Sequence, residues 1–293
     1  MESMESLRVA IIGGTGGLGQ ALARYYAKHN AIVTVFGRTF RDQEISNIKF
    51  TKIDLSLMSN IKELVKSDDK FNLVNFDLII FTAGIFSSIS RQETTEGLEL
   101  DLASSYINRY LLLDKSLLKL KQIKEDNKNF ENNNKFFSNF EKPRIFIMAY
   151  PGDNQLGTID DINQEKSYGV LKAHMNTVAG NESIVTHYSN EKLINIYGLN
   201  PGIIKTNIRN NLFGNGIISK VMEYFIGLLN PTPEEYANLI GPLLINAKLE
   251  NKSGTFYNNK GKEIKGSNNL NKEYADKFIE KSKDLLINKG LYD

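Results

Sequence analysis

The chain has 293 residues, 41% of them hydrophobic, which is enough apolar content for a sizeable core and excludes a disordered chain. Its 36 basic and 34 acidic residues leave a net charge of +2 with no long basic run, which argues against a nucleic-acid or membrane-surface partner. With no cysteine, disulfides, thiol nucleophiles and zinc–thiolate sites are ruled out, and three widely spaced histidines (His29, His174, His187) argue against a His-rich metal site.

Residues 1–8 are acidic and polar, unlike a secretory leader, and the apolar stretches at 78–86 and 217–229 are too short or interrupted to span a bilayer. The expectation is a soluble cytoplasmic protein. Residues 9–12, a β-branched apolar run, read as a buried parallel strand. Five glycines follow at once (Gly13, Gly14, Gly16, Gly17, Gly19), and then 20–29, rich in helix formers. Such a strand, glycine turn and helix start make a phosphate site: close backbone approach, free N–H groups and a partial positive charge.

Residues 31–36 and 48–53 read as the next two strands, 59–66 as a helix and 77–81 as a fourth strand, followed by Thr82-Ala83-Gly84. A long helix is expected from Thr95 to about Lys121. The segment 124–142, with six asparagines and mixed charge, reads as a surface insertion rather than a domain boundary, because a strand resumes at 144–148. A helix containing 168–179, a strand at 193–197, a helix at 231–249 and a last strand at 253–257 complete the alternation. A polar C-terminal tail, about 258–293, carries one helix near 272–286. The expected architecture is one α/β domain over 1–293, a doubly wound parallel sheet with helices on both faces, binding its ligand at the carboxyl ends of the strands.

The ordered motifs from Arg8 to Tyr257 resemble the short-chain dehydrogenase/reductase family, which carries NAD(P) on one Rossmann-like domain. Gly13, Gly17 and Gly19 match its Gly-x-x-x-Gly-x-Gly, with Thr15 and Leu18 between them. Gly13, Gly16 and Gly19 also match the spacing of a longer, sugar-nucleotide-modifying branch. Residues 200–206, Asn-Pro-Gly-Ile-Ile-Lys-Thr, resemble the shorter branch's nicotinamide loop, which implies cofactor contacts from Pro201, Gly202, Ile204 and Thr206. Ala83-Gly84 match the end of the family's Asn-Asn-Ala-Gly. By the same resemblance Asp54 accepts from the adenine amine and Leu55 supplies backbone contacts. After the second strand, Arg38 and Thr39 offer a cation and a hydroxyl where an acidic residue would hold a ribose 2′-hydroxyl. That suits a 2′-phosphate, hence NADP(H) over NAD(H).

The resemblance makes Tyr168 and Lys172 the reactive pair: a phenol as acid/base, and a lysine one helical turn on whose charge favours the phenolate. Tyr188 and Lys192 repeat the spacing but leave no room for a helix and strand before Pro201, and read as a helix-end pair. His174 and Asn176 read as helix-face packing or solvent-exposed positions. Two family positions differ: Ala149-Tyr150 stand where a carbonyl-polarising serine belongs, and Ser105 stands where a helix asparagine holds a proton-relay water, with Asn108 one turn later. A missing donor to the reacting oxygen typically costs ~10²–10³ in rate, so Tyr150 or a nearby hydroxyl is the expected substitute, unless Tyr150 only fills the pocket. Three readings stand. The first is an NADP(H)-dependent oxidoreductase interconverting a carbonyl and an alcohol. The others are a catalytically weak NADP(H)-binding regulator or sensor and a sugar-nucleotide epimerase or dehydratase. The apolar segment 212–229 points to an apolar carbonyl or alcohol substrate or else closes the core, and homo-oligomerisation is common in the family.

Overall fold

The computed structural model describes residues 4–126, 139–151, 156–202, 204 and 231–292. Eight strands form one sheet: β1 (Arg8–Ile12), β2 (Ile32–Gly37), β3 (Ile48–Lys52), β4 (Leu78–Phe81), β5 (Arg144–Met148), β6 (Asn195–Leu199), β7 (Phe256–Tyr257) and β8 (Glu263–Ile264). Their spatial order is β3-β2-β1-β4-β5-β6-β7-β8, parallel except for the final β7–β8 hairpin. The order reverses at β1 and β4, and the crevice beyond the strand ends at that switch is where such sheets take ligands.

Among the described residues the α-helices are α1 (Gly17–Lys28), α2 (Met58–Lys66), α3 (Leu100–Leu102), α4 (Asn108–Asp126), α5 (Val170–His187), α6 (Pro233–Leu244) and α7 (Lys272–Asn288). Because successive strand side chains point to opposite faces, Val9 and Ile11 pack with Tyr26 and Tyr236 of α1 and α6. Ala10 and Ile12 face Ile61, Leu111, Ile184 and Phe278 of α2, α4, α5 and α7. Helices therefore cover both faces, as the alternation predicts.

Three expectations change. The long helix starts at Leu100, not Thr95, because 94–98 closes a turn through Thr94 N–H to Leu98 O (2.8 Å) and Gly97 at φ +75°. Glu99 then caps the new start, accepting from Leu102 N at 2.7 Å. Tyr168 precedes its helix instead of lying on it. The Asp161 carboxylate accepts from the amides of Glu165, Lys166 and Ser167 and holds the chain in a loop until Val170. The polar tail is part of the fold: β8 extends the sheet, and Ala275, Phe278, Ile279 and Leu286 of α7 are buried against α5 and its neighbours. Thr206, the segment 212–229 and most of the Asn-rich insertion lie outside the described residues.

Candidate active site

At the end of β1 the backbone itself makes the site. Gly13 adopts φ +97°, and a Cβ there would sit 2.4 Å from the Ala83 amide nitrogen. A Cβ on Gly19 would sit 2.4 Å from Thr82 Oγ1 and 2.5 Å from Gly13 O. Both positions therefore require glycine, and the turn is pressed against the end of β4, where Ile12 O accepts from Thr82 and Ala83 (both 2.9 Å). Helix α1 begins at Gly17 with Gly16 as N-cap, no capping side chain and no acidic residue in its first turn. The first amides of α1, at Gly17, Leu18 and Gly19, thus carry the helix-end charge with no carboxylate of their own helix to neutralise it. That cradle fits a pyrophosphate.

Thr15 lies against β2, 2.5 Å from where a Gly37 Cβ would stand, so Arg38 and Thr39 emerge exposed beside the glycine turn. Arg41, which the sequence reading missed, donates to Thr15 O at 2.7 Å and adds a second cation there. Arg24 instead pairs with buried Asp42 (2.6 Å), which also accepts from Gln20. Beyond β3, Asp54 is half-buried and Leu55 buried, and Asp54 Oδ1 accepts from the Ser56 amide (3.0 Å) and hydroxyl (2.7 Å). Asn108 donates to Leu55 O (3.1 Å) and Ser104 O (2.7 Å), so it braces this loop.

At the ends of β4 and β5 side chains dominate. Ala103–Ile107 form a π turn between α3 and α4, and it carries Ser105 to within 3.3 Å of where a Gly84 Cβ would stand. Ser105 Oγ accepts from the Ile85 amide (3.0 Å) and donates to Asp101. Its hydroxyl is thus engaged in shaping the 84–85 turn. Asp101, fully buried, also accepts from Ser87 Oγ (2.8 Å) and from His174 Nδ1 (2.9 Å). Phe86 stacks on the His174 ring, centroids 4.0 Å apart. His174, read from sequence as packing or solvent-exposed, is therefore half-buried and hydrogen-bonded to the buried Asp101 carboxyl group. Arg109, four residues after Ser105, is buried as well. It donates to Ala83 O, to Met148 O (2.7 Å) and to Asn181 Oδ1 (2.9 Å), clamping the ends of β4 and β5 together. Burial lowers its guanidinium to about 9, and Asp101 opposes that shift.

Tyr168 is half-buried and donates to Ser88 O, so its phenol faces the segment that leaves β4. Partial burial raises its pKa, the charges of Glu99 and Asp101 raise it further, and Arg91 opposes them. Lys172, two residues into α5, is exposed. Tyr150 follows the end of β5 and is 44% exposed. Pro201-Gly202 turn at the end of β6: Gly202 has φ +66° and its amide donates to Asn200 Oδ1 at 2.9 Å, while Ile204 is buried. Tyr188 ends α5 and donates to Asp114 (2.9 Å), away from the motif residues. Asn176, fully buried, holds Thr158 N at 2.6 Å and Ile162 O at 2.8 Å and is structural.

No helix among the described residues is long and apolar enough to cross a membrane, and none of them form a His/Cys/Asp/Glu group able to hold a metal ion. No family model matches the chain. It is 43% identical over 292 residues to an uncharacterized oxidoreductase of Saccharomyces cerevisiae, covering 97% of this chain and 88% of that one. Among solved structures it resembles a putative short-chain dehydrogenase of Pseudomonas syringae (TM-score 0.59, 17% identity, 88% of this chain and 96% of that one). It also resembles a putative short-chain dehydrogenase of Shigella flexneri 2a complexed with NADP (TM-score 0.57, 14% identity, 89% of this chain and 100% of that one).

Proposed function

We propose that this chain, related to an oxidoreductase and sharing the fold of short-chain dehydrogenases, is a member of the short-chain dehydrogenase/reductase family that interconverts a carbonyl and an alcohol with NADP(H) as cofactor. The observation that carries the cofactor half is the uncapped start of α1 beneath Gly13 and Gly19, with Arg38 and Arg41 beside it. In this reading the amides of Gly17, Leu18 and Gly19 hold the pyrophosphate and Thr15 lines the turn. Arg38 and Thr39 take the 2′-phosphate, and Asp54 with Leu55 holds the adenine. Ala83, Gly84, Pro201, Gly202 and Ile204 line the nicotinamide side, and Lys172 reaches the ribose.

A bound reduced nicotinamide supplies the hydride. Tyr168 supplies the proton to the carbonyl oxygen. A phenol whose pKa is raised stays protonated at neutral pH, which suits the acid role in carbonyl reduction. Tyr150 is the candidate donor that holds the carbonyl oxygen, in place of a serine. Ile89 and Leu171, exposed and adjacent in sequence to Ser88 and Lys172, favour an apolar substrate.

The test is absorbance of the reduced cofactor over a panel of apolar ketones and aldehydes, with NADPH and NADH in parallel. The expected result is consumption, faster with NADPH at low concentration. Tight NADPH binding without consumption by any carbonyl, and no reduction of NADP by any alcohol, would replace the enzyme reading with a regulator or sensor.

A further inference from the structure

We propose that His174, oriented by Asp101, is a proton-relay residue that returns to Tyr168 the proton it gives to substrate. This rests on the carbonyl-reduction reading and adds residues that the motif Tyr-x-x-x-Lys does not contain. The geometry lies in three consecutive residues. Phe86 stacks on the His174 ring, Ser87 Oγ donates to Asp101, and Ser88 O accepts from Tyr168. The Cα atoms of Phe86 and Ser88 can be no more than about 7 Å apart, so imidazole, carboxylate and phenol face one short stretch of backbone. Burial, then the charges of Glu99 and Asp101, raise the Tyr168 pKa.

The carboxylate fixes the ring. Asp101 Oδ2 lies 2.9 Å from Nδ1, so a neutral imidazole carries its proton on Nδ1 and leaves Nε2 as the acceptor. The His174 side chain is 21% exposed while Asp101 is fully buried, so the imidazole joins a buried carboxyl group to solvent. The charged and titratable groups around the cluster are Asp101 and Glu99 ahead of α4, Arg109 on α4, Arg91 after β4 and Tyr168 ahead of α5. Asp101 is the one that touches the ring.

In the reductive direction the carbonyl carbon gains the hydride and its oxygen gains the Tyr168 proton. The phenolate then regains a proton from the imidazolium of His174 through water in the cleft, and His174 regains one from solvent. In the oxidative direction Nε2 accepts the phenol proton through the same water, and the Asp101 carboxylate stabilises the resulting imidazolium.

Two measurements on the full chain test this. Nitrogen-15 histidine spectra without substrate should show the neutral His174 ring protonated on Nδ1, and Asp101→Asn should redistribute that proton. With a carbonyl that the wild type reduces, His174→Gln should lower kcat on the order of 10–100-fold, less than the loss of the residue that protonates substrate. Its NADPH affinity should stay within about twofold, a margin of under half a kcal/mol. Its pH–kcat profile should lose one ionisation, and added imidazole should restore turnover, which a merely structural histidine would not allow. Should His174→Gln fold poorly, Ser87→Ala removes one donor to Asp101 and should cause a smaller loss of the same kind. A wild-type ring protonated on Nε2, or a folded His174→Gln with unchanged kcat and pH profile, overturns the relay alone. A wild type that consumes no NADPH overturns the relay together with the reading beneath it.

Discussion

Around Gly13 and Gly19 the carboxyl edge of the sheet is made by backbone, with strands and helix so close that two Cβ atoms would collide with β4 or with the turn itself. Around Gly84 it is made by side chains from several elements: Ser87, Asp101, Ser105, Arg109, His174 and Asn181. The difference separates two tasks. A backbone cradle holds any ligand with the right phosphate geometry and tolerates little change in the chain. A side-chain cluster sets where protons and charges lie, and it can differ residue by residue on the same fold. In the proposed reading the first region selects what the protein holds, and the second what it does with it.

Substitutions should split along that line. Tyr168→Phe belongs to the side-chain region and carries the largest expected effect: a loss of turnover on the order of 10²–10⁴-fold, with NADPH affinity by calorimetry nearly unchanged. A parallel loss of binding would erase the division between the two regions. Gly13→Val belongs to the backbone region. With φ +97° and the Ala83 nitrogen 2.4 Å from the new Cβ, it should cost about 2–5 kcal/mol of stability in urea unfolding and abolish NADPH binding. Arg38→Ala should weaken NADPH by about 10–100-fold, the worth of one charged hydrogen bond, and NADH far less. Equal losses would mean that Arg38 does not read the 2′-phosphate.

The smallest effect concerns Glu99. Burial is the largest influence on its carboxyl, raising it from 4.5 to about 6. The folded chain thus holds this proton more tightly than the unfolded chain, and its contribution to stability is complete below the unfolded value and lost as pH rises through about 6. Glu99→Gln should therefore gain stability relative to wild type, on the order of 2 kcal/mol between about pH 4 and about pH 7. A gain that does not grow with pH would show that Glu99 stays ionised in the folded state.

The backbone region was legible in the sequence because its signals are local. β-Branched runs bounded by glycine fix β1, β2 and β4, and Gly13, Gly17 and Gly19 lie within one turn of chain. The side-chain region was not legible because its partners are far apart: Asp101 meets His174 across 73 residues, and Arg109 meets Asn181 across 72. Nothing in local periodicity reveals such pairs. Two boundaries moved for the same reason. Glu96, expected inside a helix, instead uses its carboxylate to accept the Ser59 amide at 2.9 Å and caps α2. Asp161 holds three amides in a loop and delays α5 past Tyr168. The C-terminal helix was seen but misjudged as part of a polar tail, because the buried stripe of Ala275, Phe278, Ile279 and Leu286 is diluted by lysine and acidic residues on its outer face.

The most direct measurement follows the hydride and the proton together: NADPH deuterated at the transferred position is supplied with an apolar carbonyl, and the alcohol is analysed by mass spectrometry for wild type and Tyr168→Phe. The account predicts a deuterium on the carbinol carbon from the wild type and almost no alcohol from the variant. An alcohol without deuterium, or equal yields from the two proteins, would contradict it.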